Sequence, residues 1–306
     1  MTQKLNRRKF FGTTFLSAAA MAALPETTLE AAAPDIQVAN PQIIDTNVNL
    51  GTWPFRHLKY GNPKSLATKL KKHRVKQAWA GSFDALFHKN IDSVNSRLYE
   101  DCKNEGSNFL LPFGTVNLAW PDWQEDLRRC HEVYKMKGIR IYPAYQTFDL
   151  TDPAFPELLS EATKRGMVLQ IVGDMDDQRN HHPIIEVRNV NMNPLVDLLP
   201  KEKNARVQLL YWNHKVNPKL QDRLIQETNV SFDTARIETA GGVEKMMNGN
   251  PLGIGTVPTT AGRIVFGSHA PYFPVESSLL KLFESTLTLG QMKQIMEENA
   301  GKLLKG

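Results

Sequence analysis

From residue 41 onward, short runs of β-branched and apolar residues alternate with longer amphipathic stretches to the end of the chain. The short runs predict strands over 42–48, 77–82, 110–116, 138–142, 168–172, 206–211, 230–234 and 263–267. The stretches between them predict helices over 65–73, 94–104, 123–134, 155–164, 194–199, 219–227 and 243–248. Two more helices, over 276–284 and 289–304, follow the last strand. A strand followed by an amphipathic helix is the βα unit of a parallel sheet, whose crossovers need the length that a helix supplies. Eight such units are the number that closes into a (β/α)8 TIM barrel. Gly106, Gly138 and Gly166 each stand where a helix ends or the next strand opens. A doubly wound open sheet is the rival, but no G-x-G-x-x-G follows the first strand. No linker or low-complexity tract divides the body, so 34–306 reads as one barrel domain.

Barrels of this kind work at the C-terminal ends of their strands. Side chains alternate along a strand, so the inward positions follow from parity. Parity groups Ile43, Asp45, Asn47 and Asn49 on one face of the first strand, and turns Arg140 and Tyr142 inward on the fourth. It groups Gln170, Val172 and Asp174 on the fifth strand, and Val265, Gly267 and His269 on the eighth. Polar side chains from several strands therefore converge on one mouth.

The first 33 residues follow a different pattern. Asn6-Arg7-Arg8-Lys9-Phe10-Phe11 leads into a mild apolar stretch from Phe15 to Leu24, and Ala31-Ala32-Ala33 offers a small-residue cleavage site before Pro34. Order and spacing are those of a targeting segment, and the paired arginines resemble a twin-arginine export signal. The expectation is a chain exported to the periplasm by the twin-arginine machinery. The segment holds a net +2 of the chain's +5, leaving +3 on the mature protein. So weak a bias argues against nucleic acid as a partner. Hydrophobic residues make up 41% of the chain, yet no apolar run in the body reaches the ~20 residues that cross a bilayer. The two cysteines, Cys102 and Cys130, are too few for a disulfide framework or a zinc cluster, and a bridge between them stays open.

Three local motifs carry a family resemblance. Ile43-Ile44-Asp45-Thr46-Asn47-Val48-Asn49-Leu50-Gly51 resembles the I-D-x-H-x-H-x-G opening of the amidohydrolase superfamily. Arg263-Ile264-Val265-Phe266-Gly267-Ser268-His269-Ala270-Pro271 resembles the R-I-L-F-G-S-D-x-P close of its amidohydrolase-2 group, and Glu298-Asn299-Ala300-Gly301-Lys302-Leu303-Leu304 resembles that group's final G-N-A-x-R-L-L. The resemblance implies an amidohydrolase-like barrel, a hydrolase or carbon–carbon lyase such as a decarboxylase. It also implies a divalent metal, usually zinc, held by histidines of the first, fifth and sixth strands and an aspartate of the last. Here those positions align with Asn47 and Asn49, Gln170, the neighbourhood of Tyr211 (with Asn213 and His214 just beyond), and His269. Neutral amides are poor zinc ligands, so a family-standard zinc site is not expected. A hard cation such as calcium stays open, taking Asn47 and Asn49 oxygens with charge from Asp174 or Asp233.

The catalytic candidates are His269, Asp233 and His182. An imidazole at the aspartate position can exchange protons at neutral pH without a metal, or simply fill the space. Asp233 is a base or an orienter of His269 or Arg140. The loop Asp174-Met175-Asp176-Asp177-Gln178-Arg179-Asn180-His181-His182-Pro183 follows the fifth strand, and at most one of its adjacent histidines faces the mouth. The substrate-binding candidates are Asn47, Asn49, Trp53, Arg140, Gln170 and Asp174. A buried guanidinium needs a partner, either a substrate carboxylate or a protein acid such as Asp45 or Asp233. Trp53 walls a pocket or packs under the first loop. Two functions follow: an enzyme on a small polar or carboxylated substrate, or a catalytically inactive barrel that binds a small ligand or partner protein.

Overall fold

The computed structural model describes residues 42–306 except 107, 178, 180, 186, 213–216, 238–239 and 250–255. The export signal expected over 1–33, and the candidates Asn213 and His214, lie outside the described residues. The strands are β1 (Ile43–Leu50), β2 (Val75–Ser82), β3 (Leu110–Gly114), β4 (Gly138–Ile141), β5 (Val168–Val172), β6 (Arg206–Leu210), β7 (Ser231–Asp233) and β8 (Ile264–Val265). They pair in sequence order, each parallel to the next. The ring closes where the chain after β8 meets β1: Thr46 N–H donates to Phe266 O at 2.9 Å, His269 N–H to Asn47 O at 2.8 Å and Asn49 N–H to Ala270 O at 2.9 Å. The expected (β/α)8 barrel is the fold.

Helices α1 (Pro63–Lys72), α2 (Ile91–Asn104), α3 (Trp123–Glu132), α4 (Ala154–Lys164), α5 (Asn193–Leu198), α6 (Pro218–Glu227) and α7 (Gly242–Met247) fill the crossovers, and α8 (Val275–Phe283) follows β8. Their starts are written locally. The side chains of Asn62, Asn90 and Asn217 accept backbone N–H groups at the first turns of α1, α2 and α6. Pro63 and Pro218 occupy first-turn positions that need no N–H. The helix expected over 289–304 is broken: α9 (Leu289–Lys293) and α10 (Asn299–Lys305) flank a π turn at Gln294–Glu298. Just past the turn, Asn299 Nδ2 donates to Ala261 O at 2.7 Å and Ile264 O at 2.8 Å, tying the C-terminus to β8. Cys102 and Cys130 are buried, unbridged thiols packed between helices and sheet.

Two apolar layers and one polar layer fill the barrel axis. At the bottom Ile44, Trp79, Phe113, Val168 and Val265 pack together, with Trp79 stacked on Phe113 at 4.8 Å. Near the top Tyr142, Val172, Leu210 and Tyr211 pack with residues of the mouth loops. Between them lie buried Thr46, Arg140, Gln170 and Gln208. The pairing of β1 with β2 slips between Asp45 and Val48, so simple alternation fails there. Ile44 and Thr46 therefore point inward, followed by Asn47 and Asn49. Asp45, expected on the same face as the asparagines, turns to β8 instead, where its Oδ1 accepts from Ser268 N–H at 3.0 Å and Asn47 N–H at 3.1 Å.

β7 and β8 are shorter than their sequence pattern because a side chain takes over from the ladder. Thr234 Oγ1 donates to Gly267 O at 3.0 Å and accepts from Gly267 N–H at 3.1 Å. Thr234→Val keeps the shape and strips both bonds, leaving two buried backbone groups unpaired. It should lower stability by about 2–4 kcal/mol, read as a fall in denaturant midpoint at unchanged slope.

Candidate active site

Arg140 sits on the barrel axis, fully buried, and every N–H of its guanidinium is spent on a neutral oxygen. Nε donates to Gln170 Oε1 at 2.8 Å; Nη1 donates to Val48 O at 2.8 Å and Asn49 Oδ1 at 3.0 Å; Nη2 donates to Thr46 O at 3.3 Å and Trp79 O at 3.2 Å. No acidic side chain is among these partners, and no N–H is left for a substrate carboxylate. Gln170 extends the network, donating to Thr46 O and Gln208 Oε1, both at 2.8 Å. Gln208 in turn donates to Thr46 Oγ1 at 2.7 Å. Gly81 makes room for this packing on β2, where a Cβ would lie 2.6 Å from Arg140 Nη1.

Above that floor, β1, β6, β7 and the turn after β8 bring five side chains together. Asn47 Nδ2 donates to Asp233 Oδ2 at 2.6 Å, and Asp233 Oδ1 accepts from Tyr211 N–H at 2.8 Å. Tyr211 OH lies 2.8 Å from Asn47 Oδ1, 3.1 Å from Asn49 Nδ2 and 3.0 Å from His269 Nδ1. Asn49 Nδ2 lies 3.4 Å from the same His269 nitrogen. All five are buried, and His269 Nε2 has no hydrogen-bond partner. Tyr211 and His269 both carry left-handed backbone, with φ of 60° and 61°. The other non-glycine residues in that region, Arg74 and Lys135, follow helix ends on the opposite rim, a common place for it. At Tyr211 and His269 the conformation costs on the order of 1 kcal/mol or more each, and such strain gathers at functional sites.

An aromatic cover closes the mouth. His269 stacks on Tyr272 at 4.7 Å between ring centres, and Trp53 meets Tyr272 edge-on at 5.2 Å and Phe83 at 5.4 Å. Arg56 lies over the other part of this cover, its guanidinium carbon 4.3 Å from the Tyr272 ring centre. His182 is exposed and stacks on Phe55 at 4.8 Å, so it belongs to the outer lip and not to the buried group. Asp174 is half-buried at the end of β5, 3.7 Å from His181 Nε2, with its main-chain oxygen accepting from Arg236. A cavity of about 230 Å3 lies beside β5 and β6, lined by Asp174, Arg188, Tyr211 and Trp212 among others. Asn47, Asn49, Arg140, Gln170 and His269 thus meet in one hydrogen-bonded body, each of them fully buried. Sequence parity could find most of them. It did not reveal Thr46, which the slip in β1 brings inward, nor Gln208 on β6 or the cover residue Tyr272.

Burial sets the protonation states. It pushes the Asp45 carboxyl up to about 7, helped by the nearby charge of Asp233, while bonds from Ser268 and Asn47 oppose the rise. It pushes Asp233 up to about 6 against the bonds from Asn47 and Tyr211. The His269 imidazole is held well below its ordinary range, first by burial and then by the Arg236 and Arg140 cations, with the Met175 main chain offsetting this only in part. His269 is therefore a neutral imidazole at neutral pH.

With this geometry in view, the chain is a (β/α)8 barrel. No family model and no curated protein sequence matches it. Solved structures do. A 2,6-dihydroxybenzoate decarboxylase from Rhizobium aligns with a TM-score of 0.62 at 12% identity, over 87% of this chain and 99% of that one. A 5-carboxyvanillate decarboxylase from Novosphingobium aromaticivorans with bound manganese aligns with a TM-score of 0.60 at 12% identity, over 87% and 98%. An uncharacterized TIM-barrel protein from Bordetella bronchiseptica aligns with a TM-score of 0.62 at 12% identity, over 86% and 98%. At this identity the likeness is one of fold.

The residues at the axis do not fit a divalent metal. Both oxygens of Asp233, and the amide oxygens of Asn47 and Asn49, already accept hydrogen bonds. The Arg140 cation touches Asn49 itself, so a dication there would meet like charge within a few ångströms. Among the described residues no three His, Cys, Asp or Glu side chains are grouped to hold a metal. Zinc and calcium fail on the same ground.

Asp45 sets a pH dependence whose sign follows from its shift. Its carboxyl titrates near 3.8 in an unfolded chain and near 7 in the fold, so the folded state holds the proton more tightly. Its contribution is full below 3.8 and is lost as pH rises through 7. Denaturant midpoints should fall from pH 5 to pH 8, and Asp45→Asn should remove about 2–3 kcal/mol of that fall. A variant with the wild-type slope would assign it to another group.

Proposed function

We propose that this chain is a metal-independent enzyme of the hydrolase or decarboxylase type, acting on a small polar or carboxylated molecule with His269 as the proton-transfer group. The carrying observation is His269 itself. It is a neutral, fully buried imidazole on left-handed backbone, with one ring nitrogen bonded and the other, Nε2, unpaired. A buried acceptor without a partner costs about 1–3 kcal/mol, and a site that takes a proton from a bound molecule accounts for that cost. Asn47, Asn49, Tyr211 and Asp233 orient the imidazole, while Arg140 and Gln170 build the floor beneath it. Trp53 and Tyr272 exclude water and must swing aside to admit substrate. Carboxylated aromatic compounds are the first class to try, because two proteins of this fold are named for decarboxylating them. The chain is further proposed to reach the periplasm through the twin-arginine machinery by way of Arg7 and Arg8, with mature protein starting at Pro34.

The covered mouth and the fully spent Arg140 favour a second reading, a barrel that binds a ligand without turning it over. One screen separates the two. Protein purified without chelator is assayed for metal, then tested against small aromatic and aliphatic carboxylates for a rise in Tm and for release of carbon dioxide or hydrolysis products. Metal well below one equivalent is expected, with turnover that falls at least ~100-fold in His269→Ala. Stoichiometric manganese or zinc sinks metal independence, and a His269→Ala protein of full activity sinks the role given to His269. A ligand that raises Tm with no turnover establishes the binding barrel.

Export has its own check. Arg7→Lys combined with Arg8→Lys should leave the full-length precursor in the cytoplasm, whereas the parent yields a periplasmic chain whose N-terminal sequence starts at Pro34.

A further inference from the structure

The two charged groups at the ends of the site dictate where its protons sit. Arg140 is a donor only, so the end of Asn49 that faces Nη1 at 3.0 Å must be the oxygen. That turns the Asn49 NH2 toward Tyr211 and His269. Ionised Asp233 is an acceptor only, so the end of Asn47 lying 2.6 Å away must be the NH2. That turns the Asn47 oxygen toward Tyr211 OH, 2.8 Å away. Tyr211 has one hydroxyl proton, and only by giving it to Asn47 Oδ1 does it avoid facing one oxygen lone pair with another. The phenol oxygen then accepts, from Asn49 Nδ2 at 3.1 Å and from His269 Nδ1 at 3.0 Å. His269 Nδ1 must carry a hydrogen to complete that contact. In a neutral ring the other nitrogen, Nε2, then carries no hydrogen, and the Met175 main-chain oxygen near the ring is the competing acceptor that the lock outweighs.

We propose that Arg140 and Asp233 are positioning residues which, through Asn49, Asn47 and Tyr211, lock His269 in the Nδ1–H tautomer and present Nε2 as a base. The lock is a property of the resting protein. That Nε2 serves a substrate rests on the enzyme reading above. Tyr211 is the junction, since both amides and the imidazole meet at its hydroxyl. Without that hydroxyl, His269 Nδ1 faces only the Asn49 NH2, a donor 3.4 Å away. The ring would then prefer to accept at Nδ1 and carry its hydrogen on Nε2.

Long-range proton–nitrogen NMR of the full chain, labelled with 15N in histidine, reads the tautomer directly, and loss of one ring's signals in His269→Gln assigns them. The expected wild-type spectrum has a protonated, pyrrole-type Nδ1 and a bare, pyridine-type Nε2 at neutral pH. In Tyr211→Phe, a change that keeps the ring and removes only the hydroxyl, the two nitrogens should exchange types. A wild-type ring protonated on Nε2 overturns the proposal, as does a Tyr211→Phe ring that keeps the wild-type pattern. A ring protonated on both nitrogens at neutral pH also overturns it. These outcomes are independent of turnover: an inactive protein with the locked tautomer sinks the enzyme reading alone, and an active one with the opposite tautomer sinks the lock alone.

Discussion

A guanidinium on the axis of a barrel is an expensive thing to bury, and the arrangement of this interior follows from how Arg140 is satisfied. A lone cation in a low-dielectric core costs several kcal/mol unless its donors are met. Here five neutral oxygens meet them, from β1, β2 and β5. Three are backbone carbonyls, which therefore turn inward from their strands. Gly81 stays bare to let the side chain lie flat, and Gln170 and Gln208 stand as amides where an apolar layer would otherwise fill the space. The slip in β1 belongs to the same constraint, since it presents Thr46, Val48 and Asn49 oxygens to one guanidinium. Each of these features would be a defect without the others.

The positive charge also marks how this barrel departs from the metal-loaded proteins that share its fold. A metal would cross-link strands through side-chain lone pairs; Arg140 cross-links them through N–H donors, and it consumes the amide oxygen of Asn49 in doing so. Amide side chains suit such a centre. An amide can both accept from the cation and pass a donor onward, which a ligated imidazole cannot. Positive charge stands at this centre without an open coordination position of the kind on which metal catalysis depends.

The imidazole and the phenol lie above this floor, toward the mouth. His269 and Tyr211 are held in uncommon backbone conformations, and the imidazole sits under stacked aromatic rings in a place water does not reach. Removing water strengthens every interaction within the group and lowers the proton affinity of the ring. The same cover that tunes the imidazole also shuts it off from solvent, through the loops carrying Trp53 and Tyr272.

The chain alone determined a good deal. Alternating short apolar and amphipathic segments specify eight βα units because the periods of strand and helix differ, and eight parallel units close a ring. Parity then located Arg140 and Gln170 inside, because a strand in regular pairing has no other way to place them, and it also grouped Asn47, Asn49 and His269 with the mouth, although a slip and a turn set their final placement. Parity failed at Asp45 and Thr46, where a slip in pairing reverses the faces, and such a slip has no signature in residue type. Nor could the chain show that Arg140 binds neutral oxygens and no carboxylate. Its partners come from residues up to 94 positions away, and which atoms meet depends on the stagger of strands around the closed barrel. Which residues are inside was written in the order of the residues. Which atoms touch, and so where the protons lie, was decided only when the ring closed.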